Sequence, residues 1–338
     1  MPPQGQRFAG YYYGDGSEPY FPADIDDYAL TYFGPARYHS DEFQDEAYLY
    51  IPFDEDYYQA MAKVIDERFA NWQGQGFDED TLGPSPLAEA MRRYLDCECE
   101  YFPSMKDDDP IMSAYSYARR LGVREGFIPV LIKPDETLWE CLIMNSDPDS
   151  DGAEGYAFDP EEVAKYRKKM LVQPVKNGKA VLSGLIGDRK EEAEDDDMDW
   201  EEEILGAMEG GDTNVRFSSY WDDDTKMTYP LILAKIPVKN PWEIFAYLPF
   251  GNWNDCPDTP ELMAAAKYWF EQYGAVPAAM THDELEFVVP APVPKERAME
   301  LAVEQYGFCP DQDQGEEGSI GTLADTLWQS TVWYFWWD

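Results

Sequence analysis

The sequence predicts an α+β protein: a mixed β-sheet with covering helices, a C-terminal strand buried in the sheet, and a smaller N-terminal α/β region. Three observations predict it. From Thr228 onward the elements read β-β-α-β-β-α-α-β, an order that suits neither a helical bundle nor a strictly alternating fold. Helical stripes alternate with apolar runs too short for helices. The chain closes on VWYFWWD, apolar at odd and even positions alike, as in a strand covered on both faces.

The elements follow in order. Residues 1–45, rich in Tyr, Gly, Pro and Asp, read as irregular structure. EAYLYIPF (46–53) reads as a strand, and 55–72 as a helix with Tyr57, Met61, Val64, Ile65 and Phe69 on one stripe. GQGFDEDTLGPSP interrupts the chain before a helix near 87–97. KDDDP, at 106–110, marks the expected boundary between an acidic, Tyr-rich region (1–106) and a C-terminal domain (107–338). A helix over 111–121 and the strand FIPVLIK follow.

Asp159-Pro160-Glu161-Glu162 opens a helix, with Asp159 as cap, Pro160 at the first position and Glu162 completing a capping box. Residues 191–203 hold ten acids in thirteen positions and are expected to be a solvated insert or linker, part of a segment at about 188–224. Next, TYPLILAKIPV and EIFAYLPF read as strands, and Thr259-Pro260-Glu261 starts a helix that Gly274 ends. VPAAMT and ELEFVV form a hairpin through His282-Asp283. A helix over 294–306 closes at Gly307, and Ser319 caps the last helix. The final strand, 331–337, is placed inside the sheet rather than on its edge, because both of its faces are apolar.

Charge bounds the partners. The chain carries 26 basic and 68 acidic residues, a net charge of −42. Residues 1–106 hold 7 and 21, residues 241–338 hold 3 and 17, and the remainder 16 and 30, so each third carries −14. Removing the ten acids of 191–203 still leaves −32, so no single tail sets the sign. Such a field repels nucleic-acid phosphates and anionic membranes, and it steers a basic protein inward. No run reaches the roughly 18 apolar residues of a membrane span, and the start, MPPQGQRFAGYYYGDG, lacks the pattern of a signal peptide. A cytoplasmic location is expected, with the five cysteines reduced.

One tripeptide occurs twice, Cys256-Pro257-Asp258 and Cys309-Pro310-Asp311, each time at an element boundary. Two well-made turns with buried cysteines explain it, since Pro fixes φ and Asp accepts from free backbone N–H groups. Alternatively the turns converge, and Asp255, Asp258, Asp311 and Asp338 line one pocket that binds a cation or perturbs its own acidities. Asp338, as the last residue, brings side-chain and main-chain carboxylates together, either a local clamp or an anionic ligand point. Asp147-Pro148-Asp149-Ser150-Asp151-Gly152 imitates the start of a calcium loop, but Glu154 and Phe158 stand where an apolar residue and a bidentate Glu belong. Cys309 with His282 could form a dyad, though neither carries a local signature. Cys97-x-Cys99 lacks a second pair, which leaves zinc unsupported. No phosphate-binding loop occurs, and no cofactor or metal is expected.

The stretches AYLPFGNWNDCPDTPE, YWFEQYGA, EQYGFCPD and YFWWD resemble an uncharacterised bacterial group, the domain-of-unknown-function family 4253, which is marked by a closing Phe-Trp-Trp-Asp. The likeness is clear over 229–338 and looser over about 111–187. It implies that Trp253, Asn254, Cys256, Pro257, Cys309, Pro310, Asp311 and the ending Phe335–Asp338 matter to that group, and it brings no activity. The expected binding residues are therefore Trp253, Asn254, Asp255, Cys256, Asp258, Cys309, Asp311, Trp336 and Asp338, with catalytic residues unassigned. The expected function is that of a non-enzymatic interaction protein, immunity- or inhibitor-like, which engages a basic protein through an acidic surface. The alternative is a carboxylate- or metal-assisted hydrolase near the two Cys-Pro-Asp turns.

Overall fold

The computed structural model describes residues 83–150, 155–311 and 319–338. The strand expected at 46–53 and the helix at 55–72 lie outside these residues, as do residues 151–154 of the calcium-like loop. The chain divides into two compact units, residues 1–83 with 109–116, and residues 84–108 with 117–338. All of the described strands belong to the second.

In chain order the described elements are α1 (Pro86–Leu95), β1 (Glu98–Phe102), α2 (Asp109–Glu125), β2 (Ile128–Ile132), α3 (Glu136–Ser146), α4 (Pro160–Val172) and α5 (Gly178–Asp195). After a short π-helix (Trp200–Leu205) come β3 (Trp221–Asp222), β4 (Met227–Thr228), β5 (Leu231–Ile236) and a 3-10 helix (Pro241–Ala246). The chain closes with α6 (Thr259–Tyr273), β6 (Val276–Met280), β7 (Glu284–Val288), α7 (Lys295–Phe308), α8 (Ile320–Leu327) and β8 (Val332–Trp336). The main sheet is mixed, in the order β1-β5-β2-β6-β7-β8, with β2 and β6 parallel and every other pair antiparallel. Helices pack on it, so the fold is α+β.

Local chemistry explains most of the starts. Ser85, Asp135, Asn177, Asp258 and Ser319 each precede a helix and accept from the N–H three residues on, satisfying a donor the helix cannot use. Asp159 also caps α4, but its carboxylate accepts from Glu161 N at 2.8 Å while Glu162 pairs with Lys165, so the expected capping box does not form. Asp159 N in turn donates to Asp147 Oδ2 at 2.7 Å, which ties the calcium-like loop to a helix cap.

EIFAYLPF is not a strand. Pro241 pre-sets helical φ, and Asn240 closes on Glu243, through N to Oε2 at 3.1 Å and Nδ2 to Oε1 at 2.8 Å. That local closure turns the chain into the 3-10 helix. Gly307 lies within α7 rather than ending it. A Cβ there would meet Ile186 Cγ1 at 2.6 Å, so this glycine permits close approach of α7 to α5. The acidic block is folded: it forms the last turn of α5 and the π-helix, with Ala193 and Ile204 buried and its carboxylates largely exposed.

One face of the final strand, with Trp333 and Phe335, is buried as expected, but Tyr334 and Trp336 on the other are only half-buried, and the strand ends the sheet order rather than lying within it. Its start is covered by another segment: Thr331 N and Val332 N donate to Asn214 O at 2.9 and 3.0 Å. The first edge donor of the strand, which would otherwise invite a foreign strand, is thus occupied.

Candidate functional site

β7 and β8 lie antiparallel, with Glu284 opposite Trp336, Leu285 opposite Phe335, Glu286 opposite Tyr334 and Phe287 opposite Trp333. Side chains alternate across a strand, so this register sorts the pair into two faces. Leu285, Phe287, Trp333 and Phe335 are buried on the helical side. There Trp269 of α6 stacks on Phe335 at 5.5 Å between centroids, and Phe308 of α7 meets the same ring edge-on at 5.3 Å. Trp337 continues the stack, 6.1 Å from Phe335.

The opposite face is polar. Glu284, Tyr334 and Trp336 line a cleft of about 950 Å³, together with Lys133, Trp221, Asp223, Tyr229, His282, Asp283, Tyr306 and Asp311. The folded end of the acidic block, from Met198 to Ile204, supplies another wall. Tyr334 Oη donates to Glu284 Oε1 at 2.6 Å, and Trp336 Nε1 donates to Asp283 Oδ2 at 3.2 Å. Burial raises the Glu284 carboxyl above its usual range, opposed by the hydrogen bond from Tyr334. Burial and then the neighbouring Glu284 push the Tyr334 phenol up. His282 Nδ1 lies 3.2 Å from Asp135 Oδ2 and 3.4 Å from Asp283 Oδ1, and the Asp135 hydrogen bond raises its pKa. Lys133 Nζ sits 4.0 Å above the Tyr229 ring, so the cation that enters the cleft from β2 already has an aromatic partner.

Glu286 lies below this surface, fully buried. Ser218 N at 2.9 Å, Ser219 N at 3.3 Å and Ser219 Oγ at 2.5 Å all donate to its carboxylate. Even so, burial outweighs these donors and pushes its pKa up to about 7.

The two Cys-Pro-Asp turns meet at the end of the chain. Asn254 Nδ2 of the first turn donates to the Asp338 main-chain oxygen at 2.6 Å, and Asp338 N donates to Asp311 Oδ2 of the second at 3.3 Å. Cys309 Sγ donates to Trp336 O at 2.9 Å, so it does not form a dyad with His282. Cys256 is buried, and burial pushes its thiol up, with Cys309 the next cause. Trp253 donates through Nε1 to Phe250 O at 2.8 Å, closing the turn upon itself.

The carboxylates of these turns have separate employments. Asp255 accepts from Arg189 at 2.6 Å, Asp258 caps α6, and Asp311 holds Asp338 N. Among the described residues, no three of Asp255, Asp258, Asp311 and Asp338 bring ligand oxygens within 4.8 Å of one another. Of the expected residues, only Asp311 and Trp336 reach the cleft.

The first turn depends on special backbone. Asn252 and Asn254 have φ of +71° and +42°, a region that Asn tolerates better than most residues. A Cβ on Gly251 would come within 2.1 Å of Pro257 O. Asn145 of α3 holds the turn from below, donating to Pro249 O and Gly251 O, both at 2.9 Å. Sequence reasoning missed Asn145, Lys133, Asp283, Glu284 and Tyr334. For Glu284 and Tyr334 a signal existed: alternation in ELEF and WYFW places Glu284, Glu286, Tyr334 and Trp336 on one side once the register is known.

Among the described residues, no helix is long and apolar enough to cross a membrane. Neither a curated protein nor a solved structure matches the chain. The looser likeness seen over 111–187 lies outside the one matched segment, which begins in β5 and takes in both Cys-Pro-Asp turns and the β7–β8 pair. Residues 232–338 match the model of a family described as Domain of unknown function (DUF4253).

Proposed function

We propose that this chain is a non-enzymatic binding protein that engages a basic protein and takes one of its cationic side chains into the β7–β8 cleft. The observation that carries this reading is the lining. Carboxylates of Glu203, Asp223, Asp283, Glu284 and Asp311 stand among the rings of Trp221, Tyr229, Tyr306, Tyr334 and Trp336. Carboxylates supply charge, and ring faces attract a desolvated cation by about 0.5–2 kcal/mol each. The net charge of −42 adds long-range steering for a partner of opposite sign. An immunity- or inhibitor-like role against a basic nuclease or toxin follows the same logic, as does a cytoplasmic setting.

The test uses the full chain and two peptides, one with a central lysine between glycines and one with norleucine in its place. Tryptophan fluorescence follows binding at two salt concentrations. The lysine peptide is expected to bind at least tenfold more tightly, to weaken as salt rises, and to weaken again with Glu284→Gln. Equal affinity for the two peptides sinks the proposal.

A further inference from the structure

The rim of the sheet farthest from the cleft carries a second chemistry. Cys97 and Cys99 flank Glu98 at the start of β1, the strand that ends the sheet order opposite β8. Their sulfurs lie 3.9 Å apart, both half-buried, while Glu98 and Glu100 between and beyond them face solvent. A disulfide needs about 2.05 Å between sulfurs, so at 3.9 Å this pair stands nearly twice that length apart. One metal ion held by two bonds of roughly 2.3 Å places its sulfurs between about 3.8 Å when tetrahedral and 4.6 Å when linear. The observed spacing falls inside that interval.

Two guanidiniums act on the pair, Arg92 on Cys99 and Arg167 on Cys97. The Cys99 thiol is held below its usual range, first by its hydrogen bond with Cys97 and then by the Arg92 guanidinium. The Cys97 thiol is pushed up, first by its hydrogen bond with Cys99 and then by burial, and Arg167, buried against the rings of Tyr94 and Tyr247, opposes that rise only in part, so a metal ion must displace this proton. Two thiolates around a monovalent ion carry a net charge of −1, which these guanidiniums offset. A divalent ion would seek two further ligands, and among the described residues no His, Asp or Glu joins this pair in a group of three within 4.8 Å.

We propose that Cys97 and Cys99 form a two-thiolate site for a soft monovalent metal ion of the copper(I) type. Thiolates select such ions over harder ones. Binding replaces two S–H protons with one metal, so two protons leave and no electron is transferred. The site is independent of the cleft, and its failure would leave the cation-binding reading intact.

Anaerobic titration of the reduced full chain tests it, with copper(I) supplied as the complex of a chromophoric chelator. The chain is expected to withdraw one equivalent, with thiolate-to-metal absorption appearing in the ultraviolet. Cys97→Ser and Cys99→Ser are each expected to lose at least tenfold in affinity, and Cys141→Ser to retain it. In the unmodified protein, copper(I) is expected to protect Cys97 and Cys99 from alkylation, read peptide by peptide in a mass spectrometer, a measurement that does not depend on any variant folding. No withdrawal of copper(I), unchanged alkylation of both cysteines, or displacement of the copper by equimolar zinc would each overturn the assignment.

Discussion

The two faces of the β7–β8 pair are built from adjacent residues and behave as opposite solvents. On one side Leu285, Phe287, Trp333 and Phe335 join Trp269, Phe308 and Trp337 in a stack of rings, where among the described residues the indole N–H groups of Trp333 and Trp337 find no partner. On the other, Glu284, Glu286, Tyr334 and Trp336 engage in hydrogen bonds, and burial raises the pKa of both carboxyls and of the phenol. Packing holds the first face, because rings of this size bury 150–250 Å² each and tolerate an occasional orphaned donor. Charge and hydrogen bonding define the second. The lesson is that one strand serves both as the keystone of a core and as the wall of a cleft, with a single-residue register deciding which side chain does which.

The comparison predicts a ranking of effects. Phe335→Ala removes the ring at the centre of the dry face and leaves a cavity among Trp269, Phe308 and Trp337. The expected loss is about 3–5 kcal/mol in urea unfolding, and a loss below about 1 kcal/mol would mean that the stack does not support the fold.

Next comes Glu286. Its folded pKa of about 7 stands above the ordinary 4.5, so between those values the folded chain binds the proton more tightly than the unfolded chain does. The associated stability is fully present below pH 4.5 and is lost as pH rises through about 7. At roughly 1.4 kcal/mol per unit the loss amounts to about 3 kcal/mol. Ser219 and Ser218 lower this value and Glu284 on the same face raises it. Glu286→Gln is expected to remove this component, so wild type and variant unfolded at pH 5 and pH 8 separate by roughly 2–3 kcal/mol in their pH dependence. Parallel curves would contradict the burial argument.

Smaller effects belong to the wet face and its rim. Trp336→Ala is expected to weaken lysine-peptide binding about tenfold, near 1.4 kcal/mol, as read by calorimetry, because a ring and an anchor for Asp283 disappear together. An unchanged affinity would remove the ring from the cation site. Asn254→Ala cuts the link to Asp338 and is expected to cost about 0.5 kcal/mol, the low end for a hydrogen bond at an exposed position. Its sharper readout is amide exchange at Trp337 and Asp338, which is expected to accelerate while the exchange of β7 stays constant.

Much of the second unit was legible in the chain. The cap at Ser319 acts over three residues, and the stripes of α6 and α8 over two or three turns, so sequence spacing alone reveals them, whereas α3 behind its Asp135 cap was not expected. Apolar content was a poorer guide. EIFAYLPF has the residues of a strand, yet the closure of Asn240 on Glu243 made it a 3-10 helix. The both-sided apolarity of β8 was read as burial on both faces and an interior place in the sheet, yet Tyr334 and Trp336 are half-buried cleft wall and the strand ends the sheet order, because large rings also suit a half-covered face. For the site, the two Cys-Pro-Asp turns do meet, but through main-chain groups of Asp338 rather than through shared carboxylates.

By itself the sequence determined the sign of the field around this protein, the position of most helices and strands, and the aromatic burial of its final strand. These follow from composition and from forces acting over a few residues. Only the tertiary structure decided that Lys133, Asp223, Glu284, Asp311 and Tyr334 share one cleft, and that Cys97 and Cys99 sit at the far rim. Those neighbours are set by strand order and register, and both are fixed by how a whole core packs, a balance of many long-range contacts that no local window of residues contains.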